Sequence, residues 1–277
     1  MIKKLICPTD FSEAADNAVE YAVNLAKAMG AELLLVNVQT VTPVSAAVSL
    51  GEGIGSEAME GSRLAAEKLK VLCREAKDMF QIEASYEVDV TSSSLIETLS
   101  SHGENNCMIV MGTNGVDSMY QYFFGSNAYQ VIKNTKCPVL VVPEGATYEP
   151  LRKIVFAWDY SSKSEFSFSL LSDLRKAFDP KFVFLHVSTH QSGISHDLFR
   201  ALKDEIETVL QEDKKVEFKQ LFADDIPDKI NDYVVESKAD LLSITYYNRG
   251  FIRDIFHGTV AKELSETAGY PILVLHA

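Results

Sequence analysis

Short apolar runs alternate with longer stretches of helical periodicity along the whole chain. Residues 5–7 form a first apolar strand. Ser12 then caps a helix in which Ala15, Ala18, Val19, Ala22, Val23 and Ala26 recur at helical spacing, with a stop at Gly30. A buried-type strand follows at 32–38 (Glu-Leu-Leu-Leu-Val-Asn-Val), then a helix over about 62–79 and a strand at 82–88. The pattern continues with a helix at about 94–101, a strand at 107–111, a helix containing 127–133 and a strand at 139–142.

This order then runs a second time. Strands are predicted at 154–157, 182–187, 216–222, 241–245 and 272–275. Helices are predicted from Ser161 or Ser162, near 196–210, and at 226–237 and 259–267. The copies open alike: Lys3-Lys4-Leu5-Ile6-Cys7-Pro8-Thr9 leads to Asp10, and Arg152-Lys153-Ile154-Val155-Phe156-Ala157-Trp158 leads to Asp159. They also close alike, with Cys137-Pro138-Val139-Leu140-Val141-Val142 against Tyr270-Pro271-Ile272-Leu273-Val274-Leu275. So wide a spacing is that of a duplicated domain, since solenoid units recur every ~20–50 residues. Strands separated by helices predict right-handed crossovers and a parallel sheet covered on both faces. The expected fold class is α/β, with two tandem doubly wound domains at 1–144 and 150–277 joined by a linker from Pro143 to Pro150.

Aligned on their aspartates, the copies keep step as far as Val38 and Val187. Beyond that point the second copy is shorter by about fifteen residues, as the pairs Ile82 and Val216, and Gly125 and Gly258, show. The missing piece corresponds to residues 42–61, which hold Gly51, Gly53, Gly55 and Gly61. It predicts a long, ligand-covering loop in the first copy alone.

At 277 residues the chain accommodates two domains of roughly 140, each with its own core. A net charge of −13 argues against nucleic acid as a partner, because phosphates need a basic surface. An anionic small ligand must then be held by backbone dipoles or a metal. No apolar run approaches the ~20 residues of a membrane span, and Met1-Ile2-Lys3-Lys4-Leu5 lacks a signal core, so the expected location is the cytoplasm. The four cysteines (Cys7, Cys73, Cys107, Cys137) show no CxxC spacing. Cys7, Cys107 and Cys137 lie in or beside apolar runs and are expected to be small core hydrophobes, not a redox pair or zinc ligands.

The candidate chemistry follows the fourth strand. Gly112-Thr113-Asn114-Gly115 is followed by nine residues and then Gly125-Ser126, which open a helix. Glycines let amide groups approach phosphate oxygens, the Ser126 hydroxyl can donate, and the helix presents its positive end. No Gly-Lys-Ser/Thr follows, so this is not a Walker loop. If the first and fourth strands are central neighbours, Asp10 and Gly112 share the crevice where crossovers diverge. An acid for ribose hydroxyls and an amide nest for phosphates together describe a nucleotide.

The Gly-x2-Gly-x9-Gly-Ser spacing, the opening Pro8-Thr9-Asp10-Phe11-Ser12 and the closing Cys137-Pro138-Val139-Leu140-Val141-Val142 resemble the universal stress protein family in its ATP-binding form. The resemblance covers both halves and implies a tandem member, each half carrying a five-stranded parallel sheet in the order 3-2-1-4-5. It implies that Pro8, Thr9 and Asp10 line adenine and ribose, and that Val38 offers its backbone to adenine. Met111, Gly112, Gly115, Gly125, Ser126 and Asn127 would hold ribose and phosphates. It also implies Mg²⁺ or Mn²⁺ bridging the phosphates; no dedicated metal cluster is visible in the sequence. The second copy departs from the pattern. Thr245 and Asn248 replace the first two glycines, Tyr246, Tyr247 and Arg249 crowd the loop, and Trp158 replaces Thr9.

Plainer readings compete with each feature. Gly112 and Gly115 could serve only a tight turn, and Asp10 could cap the first helix. Gly51-Glu52-Gly53-Ile54-Gly55 lacks the full dinucleotide spacing. His186, His190 and His196 have no acidic or cysteine partner at ligand spacing, and read as packed or solvated. No nucleophile elbow, Cys/His pair or close carboxylate pair is present, so hydrolysis is expected to be slow or nil and the chain is read as a non-enzyme. The leading expectation is an ATP-binding stress-response or signalling protein with one competent site in the first half. A nucleotide-independent scaffold and a slow ATP hydrolase are the alternatives. The apolar fifth strands should pair or pack against each other as an internal pseudo-dimer; homodimerisation and an unidentified signalling partner are compatible with the sequence.

Overall fold

The computed structural model describes residues 1–39, 54–90, 94–102, 106–113, 125–158, 165–189, 196–210, 215–246 and 270–276. The first half contributes β1 (Lys4–Pro8), β2 (Glu32–Val38), β3 (Ala84–Asp89), β4 (Cys107–Thr113) and β5 (Val139–Pro143). The second contributes β6 (Lys153–Ala157), β7 (Lys181–Ser188), β8 (Val216–Phe222), β9 (Leu241–Tyr246) and β10 (Ile272–His276). The helices are α1 (Glu13–Met29), α2 (Ile54–Phe80), α3 (Leu95–Ser101), α4 (Gly125–Asn134), α5 (Glu165–Phe178), α6 (His196–Leu210) and α7 (Ile226–Ser237).

All ten strands lie in one sheet of order β3-β2-β1-β4-β5-β10-β9-β6-β7-β8. Neighbours are parallel throughout except at the middle, where β5 and β10 pair antiparallel with Leu140 opposite Leu273. Each of these strands is buried over its first four residues, so the pairing hides two apolar edges that water would otherwise meet. One apolar layer is shared by α1, α2, α5 and α6, through residues such as Ala22, Leu69, Leu171 and Ile206. The opposite layer is built by α3, α4 and α7, through Leu99, Val131 and Val234.

Local chemistry accounts for the helix ends. Ser12 has an extended backbone and its Oγ accepts from the Ala15 amide; Gly30 closes α1 at φ +64° with its amide on the Ala26 carbonyl. The buried face of α1 is rich in alanine (Ala14, Ala15, Ala18, Ala22, Ala26), which lets the helix sit close on the sheet. Ser94 and Glu97 cap α3 reciprocally.

Two expectations are corrected. The loop foreseen at 42–61 is in part helix, because α2 begins at Ile54 and contains Gly55 and Gly61. Glu57, Ala58, Met59 and Glu60 favour helix, and their preference outweighs a cost of about 1 kcal/mol per glycine. Residues 42–53 lie outside the described residues. Cys107 and Cys137, read as separate core thiols, are joined in a disulfide with Cα atoms 5.9 Å apart. The β4–β5 register pairs Ile109 with Val139, so the two cysteines, each two residues earlier, fall side by side. Cys7 does remain a buried thiol, pushed up to about 12 by burial.

The segment joining the halves is held to α1. The Asn17 side-chain amide donates to the carbonyls of Pro143 (2.8 Å), Glu144 (3.2 Å) and Ala146 (2.7 Å). Tyr21 meets Tyr148 edge-on at 5.0 Å. The Ile2 amide donates to Asp173 Oδ2 on α5 at 2.7 Å, a bond between the halves. Among the described residues no helix is long and apolar enough to cross a membrane.

Candidate functional site

The crossovers after β1 and β4 leave to opposite faces, α1 to one and α4 to the other. Their C-terminal ends therefore flank the switch point at which open α/β sheets bind ligands. Pro8, Thr9, Asp10, Val38, Met111 and Gly112 all lie at the ends of β1, β2 and β4, on this edge of the sheet.

The turn from β1 into α1 is tightly bonded. The Thr9 amide donates to the Val36 carbonyl at 2.8 Å, one bond beyond the β1 strand. The Thr9 carbonyl accepts from Asn37 Nδ2 at 2.8 Å, and Asn37 Oδ1 accepts from Gln39 Nε2 at 3.3 Å. Thr9 Oγ1 accepts from the Phe11 amide at 3.1 Å, and Asp10 Oδ1 accepts from the Ser12 amide at 3.0 Å. These bonds hold Phe11 at φ +64°, a conformation that costs a non-glycine residue about 1–2 kcal/mol. Ser12, not Asp10, caps α1. Asp10 is left exposed beside the crevice. Partial burial pushes its carboxyl upward, but hydrogen bonds from the Ser12 side chain and the Ser12 and Asp10 amides outweigh this and hold it below its usual value.

Gly112 has a packing reason of its own. A Cβ there would stand 2.2 Å from the Ala14 carbonyl oxygen and 2.6 Å from its carbon, so a bare backbone is what admits the first turn of α1. Ladder parity then aims the peptide groups. The Ile109 amide donates to Pro138 on the β5 side, so Met111 and Thr113 face β5 and Gly112 faces β1. The last β1–β4 pair is Ile6 with Ile109, which places Gly112 beyond it, level with Thr9. By the same parity Val36 and Val38 face β1, and Val38 lies two residues past the last β1–β2 pair, Pro8 with Val36. The backbones of Val38 and Gly112 thus converge over the end of β1 from either side. The Met111 side chain is buried in the layer built by α3, α4 and α7.

Gly125, Ser126 and Asn127 form the first turn of α4, which packs on β4 and β5; Asn127 is exposed. Gly115 lies outside the described residues. Two features escaped the sequence reading. One is the Asn37–Gln39 pair, signalled only by a polar residue inside an apolar strand. The other is Thr113, at the end of β4, which is buried and whose Oγ1 has no hydrogen-bond partner among the described residues. Among the described residues no three His, Cys, Asp or Glu side chains gather as a metal site would need.

The second half repeats the frame with different contents. Gly112 pairs with Val142 in the first half, and Thr245 pairs with Leu275 in the second, so Thr245 stands in the glycine's place. The Trp158 amide donates to Leu185 at 2.9 Å, as Thr9 does to Val36. His186 stands at the position of Asn37, its Nδ1 donating to the Trp158 carbonyl at 2.8 Å. The Trp158 ring lies 6.1 Å from Phe184, which stacks in turn on Phe156 and Phe218. Asp159, Asn248, Tyr247, Arg249 and Gly258 are outside the described residues.

The family model described as the universal stress protein family matches residues 1–143. A universal stress protein of Methanocaldococcus jannaschii is 32% identical over 144 residues, 51% of this chain and 82% of the relative. One from Thermus aquaticus is 29% identical over 142 residues, covering 51% of this chain and 99% of the relative. The crystal structure of a universal stress protein from Archaeoglobus fulgidus superposes over 99% of this chain and 98% of its own with a TM-score of 0.72 at 17% identity, a likeness of fold along both halves. With over half the sequence matched and the whole length sharing the fold, the chain belongs to the universal stress protein family.

Proposed function

We propose that the chain is an ATP-binding stress-response or signalling protein with a single nucleotide site, in the first half. The observation that carries the reading is the convergence of the Val38 and Gly112 backbones over the end of β1, with Asp10 at the lip. Val38 would bond adenine, while Pro8 and Thr9 line it and Asp10 accepts from ribose hydroxyls. Amides from Gly112, Gly115 and Gly125, the Ser126 hydroxyl and the positive end of α4 would hold phosphates, with Met111 and Asn127 beside them. The fit is supported by the strand parity that turns the Gly112 peptide toward β1, level with Thr9. Mg²⁺ or Mn²⁺ arriving with the phosphates would supply the positive charge that the acidic chain lacks.

The domains in this reading are 1–144 and 150–277, working as an internal pseudo-dimer in the cytoplasm, with homodimerisation and a signalling partner beyond it. In the second half a Cβ at Thr245 stands where the first half has the bare backbone of Gly112, which supports loss of the site there. The reading assigns slow ATP turnover or none, since the sequence offers no hydrolase constellation to activate water.

Calorimetric titration of ATP with Mg²⁺ is expected to give one ATP per chain, lost in Gly115→Lys, and mass spectrometry of denatured protein should release an adenine nucleotide. Two equal sites, or binding indifferent to Gly115→Lys, would overturn the assignment. Protein that carries no nucleotide and shows no thermal shift with ATP would favour the scaffold reading, for which the paired β5 and β10 edges already provide a framework.

A further inference from the structure

Resting on the nucleotide reading, we propose that Asn37 is a positioning residue of the first-half site: its amide takes the Thr9 carbonyl and thereby sets the Thr9–Ser12 turn and frees the Val38 peptide to face a ligand. Asn37 is 6% exposed in a strand whose other buried residues are leucine and valine, and a buried amide is tolerated only when its hydrogen bonds are made. It makes them with Thr9 on one side and Gln39 on the other. The ladder does not need this bond to close, since the Thr9 amide already donates to Val36. Were the ladder to continue, the next bond would run from the Val38 amide to the Thr9 carbonyl. The Asn37 side chain occupies that carbonyl instead. With Thr9 gripped at its amide, carbonyl and hydroxyl, Phe11 stays in its left-handed conformation and Asp10 stays turned onto Ser12.

The second half makes the same bond with another chemistry, an imidazole in place of an amide. Histidine at position 37 should therefore keep the donor to Thr9 while giving up the acceptor that Gln39 uses. This supplies a rescue variant that a purely structural role would not single out.

The experiment follows two readouts on the full chain, for wild type, Asn37→Leu, Asn37→Asp and Asn37→His. One is hydrogen exchange of the Phe11 and Ser12 amides by NMR; the other is ATP–Mg²⁺ affinity. Leu and Asp, which cannot donate, should unprotect both amides and weaken ATP at least tenfold, with strand-core amides still protected. His should restore both readouts to within a fewfold of wild type. Unchanged protection in Asn37→Leu, or a folded Asn37→His that restores neither, overturns the inference. Wild type that takes up no ATP while the amides still follow the series overturns the nucleotide reading alone and upholds Asn37 as the residue that sets Asp10.

Discussion

The Ala14 carbonyl oxygen lies 2.2 Å from where a Cβ on Gly112 would be, so the first turn of α1 and the end of β4 touch through backbone alone. The contact couples the two walls of the crevice. Gly112→Ala must push helix backbone aside, and overpacking of this kind costs about 1–3 kcal/mol. The variant is expected to unfold earlier in urea and to lose ATP. Unchanged stability would show that α1 yields at no cost and that the glycine serves the ligand alone.

His276 ties the second half to α4, its Nε2 donating to the Ile132 carbonyl at 2.7 Å. Burial lowers its proton affinity, more than the Ile132 and Cys137 carbonyls raise it. A histidine whose folded pKa lies below its unfolded value contributes fully above about pH 6.5 and is a growing cost as pH falls below that, until the folded pKa is reached. Stability measured by denaturant between pH 8 and pH 5 should therefore fall on acidification. The slope should be shallower in His276→Gln, and equal slopes would remove His276 as a contributor.

The Cys107–Cys137 bond closes a loop of sequence separation 30, worth about 3–4 kcal/mol in the chain-entropy model. Reduction, or Cys107→Ala with Cys137→Ala, is expected to lower the urea midpoint by a matching amount while the far-ultraviolet spectrum is kept. Coincident midpoints with and without reductant would show that the cross-link adds nothing to stability.

Much of this was legible in residue order because it rests on local chemistry. Alternating apolar runs and helical stretches marked most of the elements, and Ser12, Gly30 and Ser94 marked helix ends through caps formed by their nearest neighbours. What stayed hidden depends on partners far along the chain. Cys107 and Cys137 meet only through strand register, and Asn37 finds Thr9 only once β1 and β2 are paired. The start of α2 was obscured by glycines that locally resemble a loop. At Gly112 the glycine itself was conspicuous, but two causes can demand one, and only the neighbouring Ala14 carbonyl identifies the packing cause.

The antiparallel seam of β5 and β10 sits within one polypeptide, so dilution cannot part its two sides as it would part a dimer of separate chains. Nor must the two sides share one set of side chains. A backbone with near two-fold symmetry can carry glycine at 112 and threonine at 245, asparagine at 37 and histidine at 186, and so give its two crevices unlike chemistry.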